Sequence, residues 1–180
     1  GHEAGTAVTT GIENTLIGAL AGDALTDADY NVAVGKSALS TDTLGSRSVA
    51  IGQSALQAQN FTTATAAFNT GVGDGAGLRL TTGIQNVLIG GQAGDALTDA
   101  DYNIAVGTFS LGTDTLGSRS TALGYFALGT QNFTTATDTY NTALGWNAGG
   151  GVTTGQYNTL IGGLAGDALT DADFNVAIGY

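Results

Sequence analysis

The segment GDALTDADYN, Gly22 to Asn31, recurs unchanged at Gly94 to Asn103 and again at Gly166 to Asn175, with Phe174 in place of Tyr. Its carboxylates are the first candidates for chemistry. Asp27 and Asp29, with Asp99 and Asp101, and Asp171 and Asp173, as copies, are spaced like the opening ligands of a calcium loop, where alternate oxygen donors converge on one hard cation. The rest of such a loop is missing, because Val32 stands where a glycine makes the sharp turn and no Glu follows near Leu39. A solvated acidic turn is therefore expected. The alternative is a weak calcium site completed by oxygens from neighbouring chains.

A second candidate is aromatic. QNFTTATAAF at 59 to 68 and QNFTTATDTY at 131 to 140 read as protruding loops whose Phe61 and Phe133 either pack on a neighbouring chain or offer a ring to a sugar or receptor. Thr62, Thr63 and Thr65 are also the residue type of ice-binding solenoids, but those need threonine on successive rungs and this segment occurs on one rung in four. Paired aspartates could act as the acid and base of a glycosidase. Such a pair occurs once, in a cleft, whereas every Asp pair here repeats. GVGDGAG at 71 to 77 is too degenerate for a phosphate loop, since its counterpart ALGWNAG loses the inner glycines and no Lys follows. His2 stands alone and there is no cysteine, so neither a nucleophilic triad nor a thiolate metal site can be assembled. An enzyme is not expected.

Charge narrows the partners further. With 15 Asp and Glu against four Lys and Arg, the net charge of -11 repels phosphate backbones and anionic lipid, so no nucleic-acid partner is expected. No run of about 18 apolar residues is present, so no membrane insertion is expected either. Arg47 and Arg119 stand five residues after Asp42 and Asp114, and pairing with those carboxylates or with a neighbouring chain is the expectation for them.

All these candidates sit on a repeat. GIENTLIG at Gly11, GIQNVLIG at Gly83 and GQYNTLIG at Gly155 are separated by two steps of 72 residues, giving units 11–82 and 83–154 and a partial unit 155–180. Within them a shorter motif is anchored by glycines 18, 35, 52, 73, 90, 107, 124, 145, 162 and 179, at spacings of 17, 17, 21 and 17. Each anchor is preceded by a pattern such as NVAVG or NTLIG, with β-branched and small residues alternating at period two, as in a short strand. The β-branched positions are expected to face the interior, and the alanine-rich face to pack against a partner. Past the anchor, G-x-x-A is followed by Gly or Leu in the order G, L, L, G. The Asn before each strand, replaced by Ser48 and Ser120 in two coils, is expected to form a stacked amide ladder. Seventeen residues suffice for one rung of a thin β-solenoid, and ten rungs at about 4.8 Å make a rod roughly 48 Å long.

The array N-[TV]-A-[IV]-G-x-x-A-[LG] followed by TTG-x-x-N resembles the YadA-like head repeats of trimeric autotransporter adhesins, and the related NTA-x-G-x-x-AL arrays of phage tail fibres and bacterial surface fibres. The resemblance covers essentially all of 1–180. It implies an all-β fold: a left-handed parallel β-solenoid assembled as a homotrimer, extracellular, on a cell surface or virion. It carries no catalytic residue and no cofactor. Because the chain starts and stops inside a repeat, it is expected to be an excerpt of a longer fibre, with itself and a host glycan or receptor as its partners.

Overall fold

In the computed structural model, which describes residues 1–180, every element is a short strand and successive coils stack in parallel. In chain order the strands are β1 Thr15–Ile17, β2 Val32–Val34, β3 Gly45–Ser46, β4 Val49–Ile51, β5 Thr65–Ala66, β6 Thr70–Val72, β7 Val87–Ile89, β8 Ile104–Val106, β9 Gly117–Ser118, β10 Thr121–Leu123, β11 Thr137–Asp138, β12 Thr142–Leu144, β13 Thr159–Ile161 and β14 Val176–Ile178. The ten three-residue strands form one parallel sheet in chain order, and β3 with β5 and β9 with β11 make two small parallel pairs. The chain is a parallel β-solenoid of about ten turns. Of its 106 backbone hydrogen bonds only 20 lie within strands, so corners and return segments carry most of the coil-to-coil pairing.

The anchor glycines explain why each strand ends where it does. They share a φ near +130°, as at Gly18 (133°) and Gly107 (132°), where an L side chain is strained. They also stack so closely that a Cβ on Gly35 would meet the carbonyl of Gly52 one coil on. Only glycine fits this column.

The strand faces are the reverse of the expectation. The central residue, usually alanine, is buried in every strand except the edge strands β1 and β14, where it is half-buried, while the flanking β-branched residues point outward. The cluster of 25 buried core residues consists of Ala and Leu with the single Val152. Space is the reason. In coils with a Leu corner, such as Ala33 with Leu39 or Ala50 with Leu56, the corner leucine already fills the narrow lumen. Where the strand supplies the leucine, as at Leu88, the corner is Gly94, and a Cβ there would stand 2.7 Å from Leu88 Cδ2. In the fourth coil of each unit neither position carries a leucine, and a Cβ on the corner Gly77 would meet Leu56 and Leu88 of the neighbouring coils, so the G, L, L, G order conserves volume across adjacent coils and not within each one.

The third interior position completes it. Leu25, Leu80, Leu97 and Val152 occupy it in apolar coils, and in the other coils it holds Asp42 and Gln59, or Asp114 and Gln131, all fully buried. Asp42 Oδ1 accepts the amides of Gly45 (3.0 Å) and Phe61 (2.9 Å), and its Oδ2 accepts Gln59 Nε2 (2.6 Å). Asp114 repeats all three bonds at the same lengths. Buried charge is tolerated only when paired or bonded in this way.

Candidate interaction face

The asparagine column forms the expected ladder. The amide N–H of Asn31 donates to Asn14 Oδ1 at 2.9 Å, that of Ser48 donates to Asn31 Oδ1 at 2.9 Å, and Asn31 Nδ2 reaches the Gly45 carbonyl. Ser48 is too short to continue the ladder. Gln59 bridges the gap there, its Nε2 donating to Ser48 Oγ while its Oε1 accepts from Asn69 Nδ2. Gln59 and Gln131 therefore belong to the scaffold, which the reading of their segments as loops missed. The signal was present in the recurrence of Asp and Gln at a column otherwise filled by Leu or Val.

The acidic turns are tied into the coils as well. Asp29 Oδ1 accepts the Ile12 amide at 2.8 Å, Asp101 Oδ1 that of Ile84 at 2.8 Å, and Asp173 Oδ1 that of Gln156 at 2.7 Å. Asp27 accepts the Thr10 hydroxyl and Asp99 that of Thr82, while Asp171 takes the hydroxyl of its neighbour Thr170. Each carboxylate thus spends an oxygen within the chain, most of them as a staple to the preceding coil. No group of three or more acidic or histidine side chains converges within the chain on a point where a metal could sit.

Phe61 and Phe133 do not protrude. Both are only 6% exposed, because the backbone of each is pinned at the buried carboxylate and the Phe61 ring lies against Gly45, where a Cβ would stand 2.7 Å from its Cδ2. The expectation of offered rings is corrected accordingly. The expected pairs of Arg47 with Asp42 and Arg119 with Asp114 are also absent, since both carboxylates are sealed in the core by other donors.

Two features dominate the outside. One is the outer, mostly β-branched face of the ten-strand sheet, where Ile17 (57%), Ile51 (40%), Ile89 (37%) and Leu144 (47%) are exposed and Val34, Val72, Val106 and Leu123 in the same column are half-buried. The other is a column at the corner just before the asparagines, in which Tyr30, Arg47, Phe68, Tyr102, Arg119, Tyr140, Tyr157 and Phe174 all take φ between 51° and 65°. That left-handed backbone is uncommon for such residues. Coil-to-coil bonds offset it, as where the Arg47 amide donates to the Asp29 carbonyl at 3.0 Å. The side chains stack upward: Tyr140, Tyr157 and Phe174 at 5.4 and 4.9 Å, Arg47 between Tyr30 (4.7 Å) and Phe68 (5.8 Å), and Arg119 between Tyr102 (4.7 Å) and Tyr140 (5.9 Å). Asp138 lies 2.9 Å from Arg119 Nε, and this hydrogen bond pushes the guanidinium above its ordinary value.

After the anchor glycines, unit 2 adds Phe109, Tyr125 and Trp146, of which Tyr125 and Trp146 stack at 6.5 Å. The 72-residue equivalents in unit 1 are Ser37, Gln53 and Asp74, so this patch is particular to the second unit. The surface has no enclosed pocket, and no helix is long and apolar enough to cross a membrane. Comparison with protein-family models, curated proteins and solved structures returned no match.

Proposed function

We propose that this chain is a structural segment of a trimeric extracellular fibre, of the adhesin or phage tail-fibre kind, that supports attachment to a host or surface. The observation that carries the reading is the β-branched stripe. β-branched residues suit short strands on either face, but here they make an apolar strip along the outside of the whole rod, the kind of exposed surface that marks an interface. Three rods meeting along this stripe would bury it about a common axis. The partner face is therefore the β-branched one, in place of the alanine-rich one, and the resemblance to left-handed YadA-like heads accords with a trimer.

A rod of registered coils suits such a role because each coil contacts only its neighbours, so length can be added by repetition without redesigning a core. A receptor-binding role through Phe61 and Phe133 would require those rings to leave the core, and the proposal assigns them to packing. Sedimentation equilibrium tests the reading. A species of three chains supports it, and a folded monomer at micromolar concentration overturns it.

A further inference from the structure

The two 72-residue units differ at the arginine of the corner column. In unit 2 the Arg119 guanidinium, between Tyr102 and Tyr140, has a carboxylate partner in Asp138 at 2.9 Å, and the Tyr140 hydroxyl reaches the same Asp138 Oδ2 at 3.5 Å. In unit 1 Arg47 is held by Tyr30 and Phe68 at nearly the same distances, but the equivalent of Asp138 is Ala66 and that of Tyr140 is Phe68. The backbones correspond: Ser46 pairs with Ala66 in β3 and β5 just as Ser118 pairs with Asp138 in β9 and β11. Ala66 thus presents a methyl at the position from which Asp138 extends its carboxylate. Arg47 has no ion pair.

We propose that Arg47, with Phe68 and Ala66 beside it, is a surface site for the carboxylate of an acidic sugar. The second unit supplies the geometry, since Asp138 marks where a carboxylate meets a guanidinium oriented by two rings. A planar guanidinium already held between rings loses less freedom on binding a carboxylate than a free side chain does. The replacements of Asp138 by Ala66 and of Tyr140 by Phe68 change more than charge. They remove both polar groups from this side of the arginine and leave the methyl of Ala66 beside the Phe68 ring, which is 52% exposed. The matching ligand brings its own carboxylate on a carbon frame with an apolar face. The surface that results is a cation held between two rings, beside the exposed apolar Phe68 and Ala66. A pyranuronic acid matches both: its carboxylate meets the guanidinium and its C–H face lies on the ring. This inference does not rest on the trimer.

The test is titration of the full chain with glucuronate at constant ionic strength, followed by NMR of the arginine Nε–H and aromatic resonances, with glucose, acetate and N-acetylglutamate as comparison probes. Glucuronate is expected to shift the Arg47 and Phe68 signals saturably and to bind more tightly than the other three. Two variants that borrow the other unit's residues are expected to keep the fold, because each residue already occupies the same coil position one unit away. Ala66→Asp places an internal carboxylate on Arg47 and is expected to weaken glucuronate by up to about fivefold, as Arg47→Gln is, the upper range for one exposed ion pair. Asp138→Ala with Tyr140→Phe is expected to make Arg119 respond as Arg47 does. Equal binding by acetate, glucose or N-acetylglutamate, an unaffected Ala66→Asp variant, or a silent Arg119 in the double variant would each overturn the proposal.

Discussion

Leu88 and Gly94 share one space: a Cβ on Gly94 would stand 2.7 Å from Leu88 Cδ2 and 2.9 Å from Leu97 Cδ1. One coil on, Ala105 faces Leu111 with the sizes exchanged. Since Leu111 itself holds φ of 51°, leucine tolerates the backbone of that corner and only the volume forbids it at Gly94. Leu88→Ala is expected to cost about 2–5 kcal/mol through the cavity it leaves. Gly94→Leu is expected to cost about 1–3 kcal/mol through overpacking. The double variant relieves the clash with residue 88 but not the one with Leu97, whose counterpart beside Leu111 is Asp114, so a partial recovery is expected, which thermal melts of the four proteins would read as non-additivity.

Asp42 holds two backbone amides and Gln59 in a site with no access to water. Asp42→Ala leaves three donors without acceptors, at about 1–3 kcal/mol for each buried group left unsatisfied. Hydrogen exchange at the Gly45 and Phe61 amides is expected to accelerate most in this variant, with the coils of unit 2 much less affected. Uniform acceleration along the rod would count against a local role.

Burial pushes the Asp95 carboxyl above its ordinary value of 3.8, while a hydrogen bond from its own backbone amide and the charge of Arg79 pull it partly back. The folded chain then holds this proton more tightly than the unfolded one. Its contribution is therefore most favourable below the ordinary value and is lost as pH rises through the raised one. Asp95→Asn is expected to remove that part of the pH dependence, so its melting temperature should gain on the parent as pH rises from 3.5 to 6.

On the proposed trimer axis, Ile51 and Ile89 are exposed in the single chain and their change leaves the coil interior untouched. Ile51→Lys with Ile89→Lys is expected to abolish association in sedimentation while the β-rich circular dichroism of the chain persists at low temperature. Loss of both together would mean that the rod does not fold alone, which a core this thin makes physically reasonable.

The acidic turns give a separate test. With Asp27, Asp29 and their copies bonded within the chain, calorimetric titration of chelator-treated protein with calcium is expected to show no saturable heat. Binding at roughly one ion per acidic turn, lost on Asp27→Asn with its equivalents, would restore the metal reading.

The coil length, the strand positions, the asparagine ladder and the turn glycines were all legible in the sequence, because each repeats at a fixed interval and each has a local physical cause. The 17-residue step forces Asn31 onto Asn14 and Gly35 onto Gly18 once any two coils are in register. Period two, by contrast, says only that strand faces alternate. Which face is inside depends on the lumen width, and that is set by leucines such as Leu39 and Leu56 arriving from the opposite wall, so alanine went in and valine went out. The same holds for the polar residues. Phe61 and Asp42 lie 19 positions apart, and nothing in either segment shows that the ring is drawn inward by a buried carboxylate one coil earlier. Tertiary stacking decided those placements because a thin solenoid gives each side chain neighbours mostly from other coils, where burial and unsatisfied donors outweigh local pattern.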